Sequence, residues 1–443
     1  VFNLLAMGDT MDTDAEDGTN SSDAFDGLVD WLDDHGIPAF VYARRARDNQ
    51  NVSYKSIRNM LKAGGNMTVS YGRYTLSDGE FERGTGHAIT LVGLQRSSAG
   101  VLTLQAHDPI QGGGSLNTQS ATQVREVHPV EETRNIEGDV VKVLRWGTGT
   151  DPYVFIDGWM AILPLMALTN LTAGAVALYT AGVATGQVTT AKIKLPFKAP
   201  LADIAMHHSA PFATVLAEGS GEVWTLNLGD RTWTRLQGVT GARFIAHGGR
   251  HARLFVVQGS QILAFDADDL DERTGDAPLA RFDARASVDA LSYDHRKDRL
   301  IVACKGGKRL LSLSPALSLH AEIATPGLTG SSRLTMSVNG RDSTLLLSRA
   351  GSPDVATLRW LDTGAVASGR FRLLAKGETA ANHVDSKGRL FVNEGGKIAS
   401  FDMDGNRIKG SPFDGLRVGP LLKVSRSTNV LDPVLSARKA WKN

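Results

Sequence analysis

Cysteine is nearly absent from this sequence. Its one thiol, Cys304 in RLIVACKGGKRLL, excludes an intrachain disulfide and any CxxC metal or redox site, and the apolar run around it reads as a strand. A charge excess of either sign is missing too. Against 48 Lys plus Arg stand 47 Asp plus Glu, so no global field draws nucleic acid or a strongly cationic partner. No GxxxxGK phosphate loop occurs in the repeats of the second half. The stretch from Gly158 to Ala191 has no charge at all, but Pro164, Asn170 and several Thr and Gly interrupt it. It reads as buried soluble structure, and membrane association is not favoured. Nothing like a secretory leader opens the sequence, because VFNLLAMGDTMDTDAEDG turns acidic after one short apolar run.

What is present, 443 residues at 42% hydrophobic and 21% charged, is enough for substantial cores and more than one small domain accommodates. The patterning predicts a first domain over 1–150, a connecting segment over 151–196 with a propeller-closing strand, and a second domain over 197–443. In the first, SDAFDGLVDWLDDH carries a helical stripe through Phe25, Leu28 and Leu32, with Ser22 as cap and Gly36 as stop. IPAFVYARR reads as a strand, YKSIRNMLKAGG as a second helix through Ile57, Met60 and Leu61, and NMTVSYGRYT as strand again. HAITLVGLQ and VLTLQAHDP, joined at RSSAG, read as a hairpin, and strand signals recur at QVREVHPV and DVVKVLRW. Helices followed by antiparallel strands predict an α+β layer.

GTGHAITLVG opens the first strand of that hairpin and HDP ends the second. A short turn sets the start of one strand beside the end of the other. An Asp108 carboxylate there can orient one imidazole nitrogen of His87 and leave the other to take a proton from a thiol or hydroxyl. Pro109 limits the backbone just beyond, and the glycines before His87 allow close approach of another backbone, as along a cleft. The same two residues also read as a hydrogen-bonded histidine in a sheet.

GTGHAITLVG followed by LTLQAHDP, with YGRY ahead of both, resembles the His and Asp half of the bacteriocin-processing branch of papain-like cysteine peptidases. The resemblance implies an α+β papain-like domain, His87 as base, Asp108 as its orienter, and amide hydrolysis by a cysteine at the amino end of an early helix. No cysteine precedes Cys304, so the nucleophile is missing. Either a sulfur lies just upstream of Val1, with VFNLLAMG the remainder of its helix, or the fold was kept without the reaction. Ser21, Ser22 and Ser53 stand near expected helix starts but are weak nucleophiles without tight activation. His87, His107, Asp108 and His128 match no compact ligand spacing, so no metal or other cofactor is expected.

The second half repeats itself. FATVLAEGSGEVWTLNL, ARLFVVQGSQILAFD, DRLIVACKGGKRLLSLS, STLLLSRAGSPDVATLRWLD and GRLFVNEGGKIASFD each pair two apolar strands across a short turn, and the leucines at 254, 300, 345 and 390 recur every 45 or 46 positions. A further strand signal precedes each hairpin. Such a period with three or four strands per unit fits the blades of a β-propeller. VGPLLKVSRSTNVLDP begins another unit and GAVALYTAGVATGQVTTAKIKLP supplies chain from the other end, so the ring closes with both ends at six blades, or at seven if that segment forms a blade alone. His207 with His208, and His247 with His251, read as turn residues, although a shared rim can gather them.

The expected architecture is therefore an α+β papain-like domain followed by an all-β propeller of six or seven blades. The expected function is that of a cysteine-peptidase-like protein that cleaves or binds peptide segments, inactive without an upstream cysteine. A non-catalytic protein-binding scaffold is the competing reading. Either takes a protein or peptide partner and no nucleic acid, and the resemblance suggests a periplasmic, envelope-associated or secreted setting.

Overall fold

The computed structural model describes residues 21–425 apart from 36, 38, 108–124, 147–152, 173, 183–185, 208–209, 250–251, 268–276, 326–327, 329, 340–341, 361–365, 374–378, 385–387 and 410. Two compact units divide the chain, Val41–Leu163 and a second that holds the propeller.

Ahead of the first unit, Ser21–Asp34 forms helix α1, with Leu28, Trp31 and Leu32 buried. Strand β1 is Ala39–Arg45, and helix α2 is Tyr54–Lys62. Ser53 starts α2 reciprocally: its Oγ accepts the Ser56 N–H at 3.1 Å while Ser56 Oγ accepts the Ser53 N–H at 3.1 Å. Six strands separate these elements from the end of the unit: β2 Asn66–Ser77, β3 Glu80–Arg96, β4 Leu102–His107, β5 Arg125–Val127, β6 Val130–Ile136 and β7 Asp139–Arg145. The last strand is β8, Val154–Pro164. The sheet closes on itself, because β2 pairs with both β3 and β8, β8 with β7, β7 with β6, and β6 meets β3 at Ile136 and Phe81.

This geometry overturns the α+β papain-like domain. Most expected elements form, the helices and the β3–β4 hairpin included, but the strands make one eight-stranded sheet that closes on itself. β3 runs 17 residues and begins at Glu80, well before GTGH. That length lets the β2–β3 hairpin pair on both of its outer sides. β8, which reads from sequence as a connector, is buried along nearly its whole length, so it shows no alternation to betray it. An aromatic cluster fills the closed sheet: Phe155 meets Tyr74 and Phe81 edge-on at 5.4 and 5.2 Å between centroids. Among the described residues the chain is nearly all-β, with two α-helices.

The second unit is a six-bladed β-propeller. Blade 2 comprises Leu201–Met206, Phe212–Ala217, Val223–Asn227 and Trp233–Arg235, each antiparallel to the next. Blades 3, 4 and 5 repeat that order from Ala242–Gly248, Val288–Asp294 and Leu334–Val338. Blade 6 comprises Thr379–Val384, Leu390–Glu394 and Lys397–Phe401. Blade 1 takes Met166–Thr172, Ala175–Ala181 and Val188–Lys194 from before the repeats, and its innermost strand, Leu422–Val424, from after them.

The leucine repeat has a plain cause. Leu254, Leu300, Leu345 and Leu390 lie on the second strands of blades 3 to 6, all at most 1% exposed, and each packs toward the preceding blade. The next residue on the strand turns the other way: Phe255 joins the core between blades 3 and 4. Sheets stacked radially are buried on both faces, so these strands read as continuous apolar runs. Each such leucine is worth about 1.5–3 kcal/mol of burial.

One glycine shows how tight that stacking is. A Cβ at Gly248 on blade 3 would stand 2.0 Å from Cγ of Tyr293 on blade 4. That ring stacks on Phe255 at 5.6 Å and donates its hydroxyl to Asp298 at 2.6 Å, so it has no room to yield. Gly248→Ala is expected to cost about 3 kcal/mol, read as a lower urea midpoint at unchanged slope, and Tyr293→Leu in the same chain should recover part of it.

Candidate functional site

His87 lies on β3, half-buried, opposite Tyr71 of β2, with the rings edge to face at 5.6 Å. Asp108 lies outside the described residues; its neighbour His107 pairs with Thr90. Of the glycines before His87, Gly84 lies against a backbone as expected, a Cβ there standing 3.4 Å from the Arg73 carbonyl oxygen, whereas Gly86 makes room for a side chain. A Cβ at Gly86 would stand 1.9 Å from an Arg83 guanidinium nitrogen, and one at Gly72, in YGRY, 2.7 Å from both Arg83 Nε and Asp157 Oδ2. The two glycines make the space in which Arg83 Nε donates to Asp157 at 2.5 Å. Tyr74 and Ser70 donate to the same buried carboxylate at 2.7 and 3.0 Å. Burial first, and then the Asp157 charge, pushes the Tyr74 phenol above its ordinary range, which keeps it a donor. Gly86→Ala is expected to displace Arg83 and cost about 2 kcal/mol. Added to Arg83→Met it should cost almost nothing further in a double-mutant cycle of unfolding free energies.

Ser53 caps α2 as described, and Ser21 and Ser22 begin α1. Cys304 is fully buried in the core between blades 3 and 4. Burial pushes its thiol up, which disfavours the thiolate that nucleophilic or metal chemistry needs.

The propeller holds a cavity. The innermost strands of the six blades touch in a ring, in the order 2, 3, 4, 5, 6, 1 and back to 2. At the end where these strands begin, a cavity of about 500 Å³ opens, with residues from all six blades in its wall, a size within the range of small-molecule sites. Ile204, Ile245, Leu291, Met336 and Leu422 give it an apolar wall. Across it runs one ion pair: Arg333, at the start of blade 5, donates from its guanidinium to Asp203 Oδ1 of blade 2 at 3.2 Å and also to the Ala202 carbonyl. Blades 2 and 5 stand opposite each other in a six-membered ring, so the pair spans the mouth. Asp203 is anchored by two backbone amides, Ile204 N–H at 3.0 Å and Ile245 N–H at 3.2 Å.

Sequence reasoning missed both residues, although one signal was present. Asp203 precedes Ile204 where the following blades place Phe244, Ala290 and Thr335 before Ile245, Leu291 and Met336. The aspartate is thus a charge at a position that is neutral in those three repeats. At the other end of the channel, His207 and His247 do meet, ring to ring at 4.9 Å. His247 Nε2 lies 2.7 Å from Thr214 Oγ1 and His207 Nε2 lies 3.2 Å from the Ala267 carbonyl. Among the described residues no three His, Cys, Asp or Glu side chains gather as a metal site, and no helix is long and apolar enough to cross a membrane.

No family model matches the chain, and no curated protein matches it. Among solved structures, a nidogen/laminin complex is similar over 60% of this chain and 99% of that one, at 12% identity and a TM-score of 0.43. A functionally unknown protein from Desulfotomaculum acetoxidans is similar over 59% and 86%, at 14% identity and 0.42. The β-propeller domain of Myceliophteria thermophila Cps50 is similar over 55% and 82%, at 12% identity and 0.38.

Proposed function

We propose that this chain is a non-catalytic binding protein whose propeller presents a protein partner with a surface of turns. The observation that carries the reading is the closed ring of six blades, sealed by pairing of Leu422–Val424 with Met166–Thr172. Closure leaves the turns as the variable part of a rigid scaffold, the arrangement that favours recognition. Joining first and last blades through distant chain also fixes the spacing of those turns before any partner arrives, which lowers the ordering cost of association. His87 has no catalytic part in this reading.

Photo-crosslinking tests it. A photoreactive residue is placed at Lys305 or Gly351, in turns at the cavity end, or at Asp230, in a turn at the other end, of the full chain in its native extract. One protein should crosslink from the turns of one end alone, and unlabelled chain should compete it away. Crosslinks from both ends that do not saturate would overturn the reading, as would peptide hydrolysis abolished by His87→Ala.

A further inference from the structure

Asp203 and Arg333 place opposite charges on opposite walls of the channel mouth, and the two are not held alike. Asp203 is fixed in the wall by the Ile204 and Ile245 amides, its side chain only 13% exposed. Arg333 is 37% exposed and is held at its tip, by Asp203 and the Ala202 carbonyl. A pair with one partner so open to water holds weakly, so the guanidinium readily exchanges this partner for another. What takes its place is constrained by charge. A simple anion drawn to Arg333 would leave Asp203 uncompensated in the wall. A simple cation drawn to Asp203 would leave the guanidinium beside it as a like charge, and Asp203, the more buried of the two, is the costly one to strand. A molecule that carries both charges strands neither.

We propose that the channel mouth binds a small zwitterion with an apolar body, a free apolar α-amino acid or a dipeptide, inserted between Asp203 and Arg333. The ammonium takes the Asp203 carboxylate, already aimed by two backbone amides. The ligand carboxylate takes the planar fork of Arg333, which suits two parallel hydrogen bonds. The side chain lies against Phe244, Ile245, Leu291 and Met336. Empty, Asp203 and Arg333 neutralise each other, and Lys423 of blade 1 is the remaining charged residue of the lining; filled, Asp203 and Arg333 each exchange one partner for another. Binding of a protein on the turns neither requires this site nor is required by it.

Calorimetric titration of the full chain tests the proposal with four probes: L-phenylalanine, leucyl-phenylalanine, 3-phenylpropionate (no ammonium) and phenethylamine (no carboxylate). At least one zwitterion should bind with a Kd near or below about 1 mM, and both one-charge analogues should bind about tenfold or more weakly. The free amino acid and the dipeptide are told apart by which of the two binds tighter. Asp203→Asn and Arg333→Met should each weaken the zwitterion about tenfold, and Arg333→Lys, which keeps the charge and loses the fork, by less. No binding of either zwitterion at about 10 mM to chain whose thermal transition is intact would overturn the proposal. So would 3-phenylpropionate binding equally well, or unchanged affinity in both the Arg333→Lys and Arg333→Met chains. Should Asp203→Asn fail to fold, the arginine series decides.

Discussion

A chain ended after Gly415 will not form a closed propeller, and its cooperative thermal transition should vanish from calorimetry. The missing segment is the innermost strand of blade 1. Leu422, Lys423 and Val424 pair with Thr169, Leu168 and Ala167, and side chains reinforce the seam in both directions. Thr169 Oγ1 donates to the Leu421 carbonyl at 2.6 Å, the Leu421 N–H donates to Asn170 Oδ1 at 2.9 Å, and the Met166 N–H donates to Ser425 Oγ at 2.9 Å. Leu421, Leu422 and Val424 are all buried, and at roughly 1.5–3 kcal/mol for each their loss alone rivals the whole stability of a typical domain, about 5–15 kcal/mol. Truncation also leaves the edge of Met166–Thr172 unpaired and open to other chains, so aggregation should accompany the lost transition. A single substitution probes the same seam. A Cβ at Gly419 would stand 1.7 Å from the Asn170 carbonyl oxygen, which is backbone and cannot turn aside. Gly419→Ala should therefore cost about 3 kcal/mol with residues 420–425 still in place. A truncated chain that melts like the full one would mean blade 1 is closed in some other way.

Asp157→Ala should be the most damaging single change in the Val41–Leu163 unit, at about 3–5 kcal/mol, the cost of breaking a buried pair from one side. One carboxylate accepts from Ser70, Tyr74 and Arg83, on β2 and β3, while standing on β8. Removing it strands a guanidinium and a phenol inside a closed sheet and unties the strand that completes the ring of pairings. Hydrogen exchange followed strand by strand gives the reading: protection should collapse across β2, β3 and β8 while the propeller strands keep theirs. Asp157→Asn keeps one acceptor and should lose less. Equal protection in the Asp157→Ala chain would show that the aromatic cluster of Tyr74, Phe81 and Phe155 holds the closure without the charges.

The Asp157 network also gives Gly86 of the GTGH stretch a structural use. Glycine flanking a histidine in an apolar strand is compatible with a catalytic cleft and with space for a neighbouring side chain, and sequence carries no distinction between them. Arg83 is only three residues from Gly86, yet its partner Asp157 is 74 positions away from it, in a strand whose two buried faces erase any alternation. The helices and the hairpin were readable because each depends on neighbours within a few residues. The α+β layering was not, because it depends on which strand pairs with the outer side of β2.

The propeller divides in the same way. By itself the sequence determined the blades: a period of 45 or 46 residues, two apolar strands around each turn, and leucines in step, since stacking between blades imposes the same burial on each repeat. Closure by chain from both ends was legible too, in GAVALYT and VGPLLKV; only the tertiary structure decided that the count is six rather than seven, that Leu422–Val424 pairs with Met166–Thr172, and that Asp203 and Arg333, 130 positions apart, meet across the channel. Periodicity records how deeply a residue is buried, a local demand repeated along the chain. Which distant residue it faces is set by the circumference of the closed ring, which no single repeat contains.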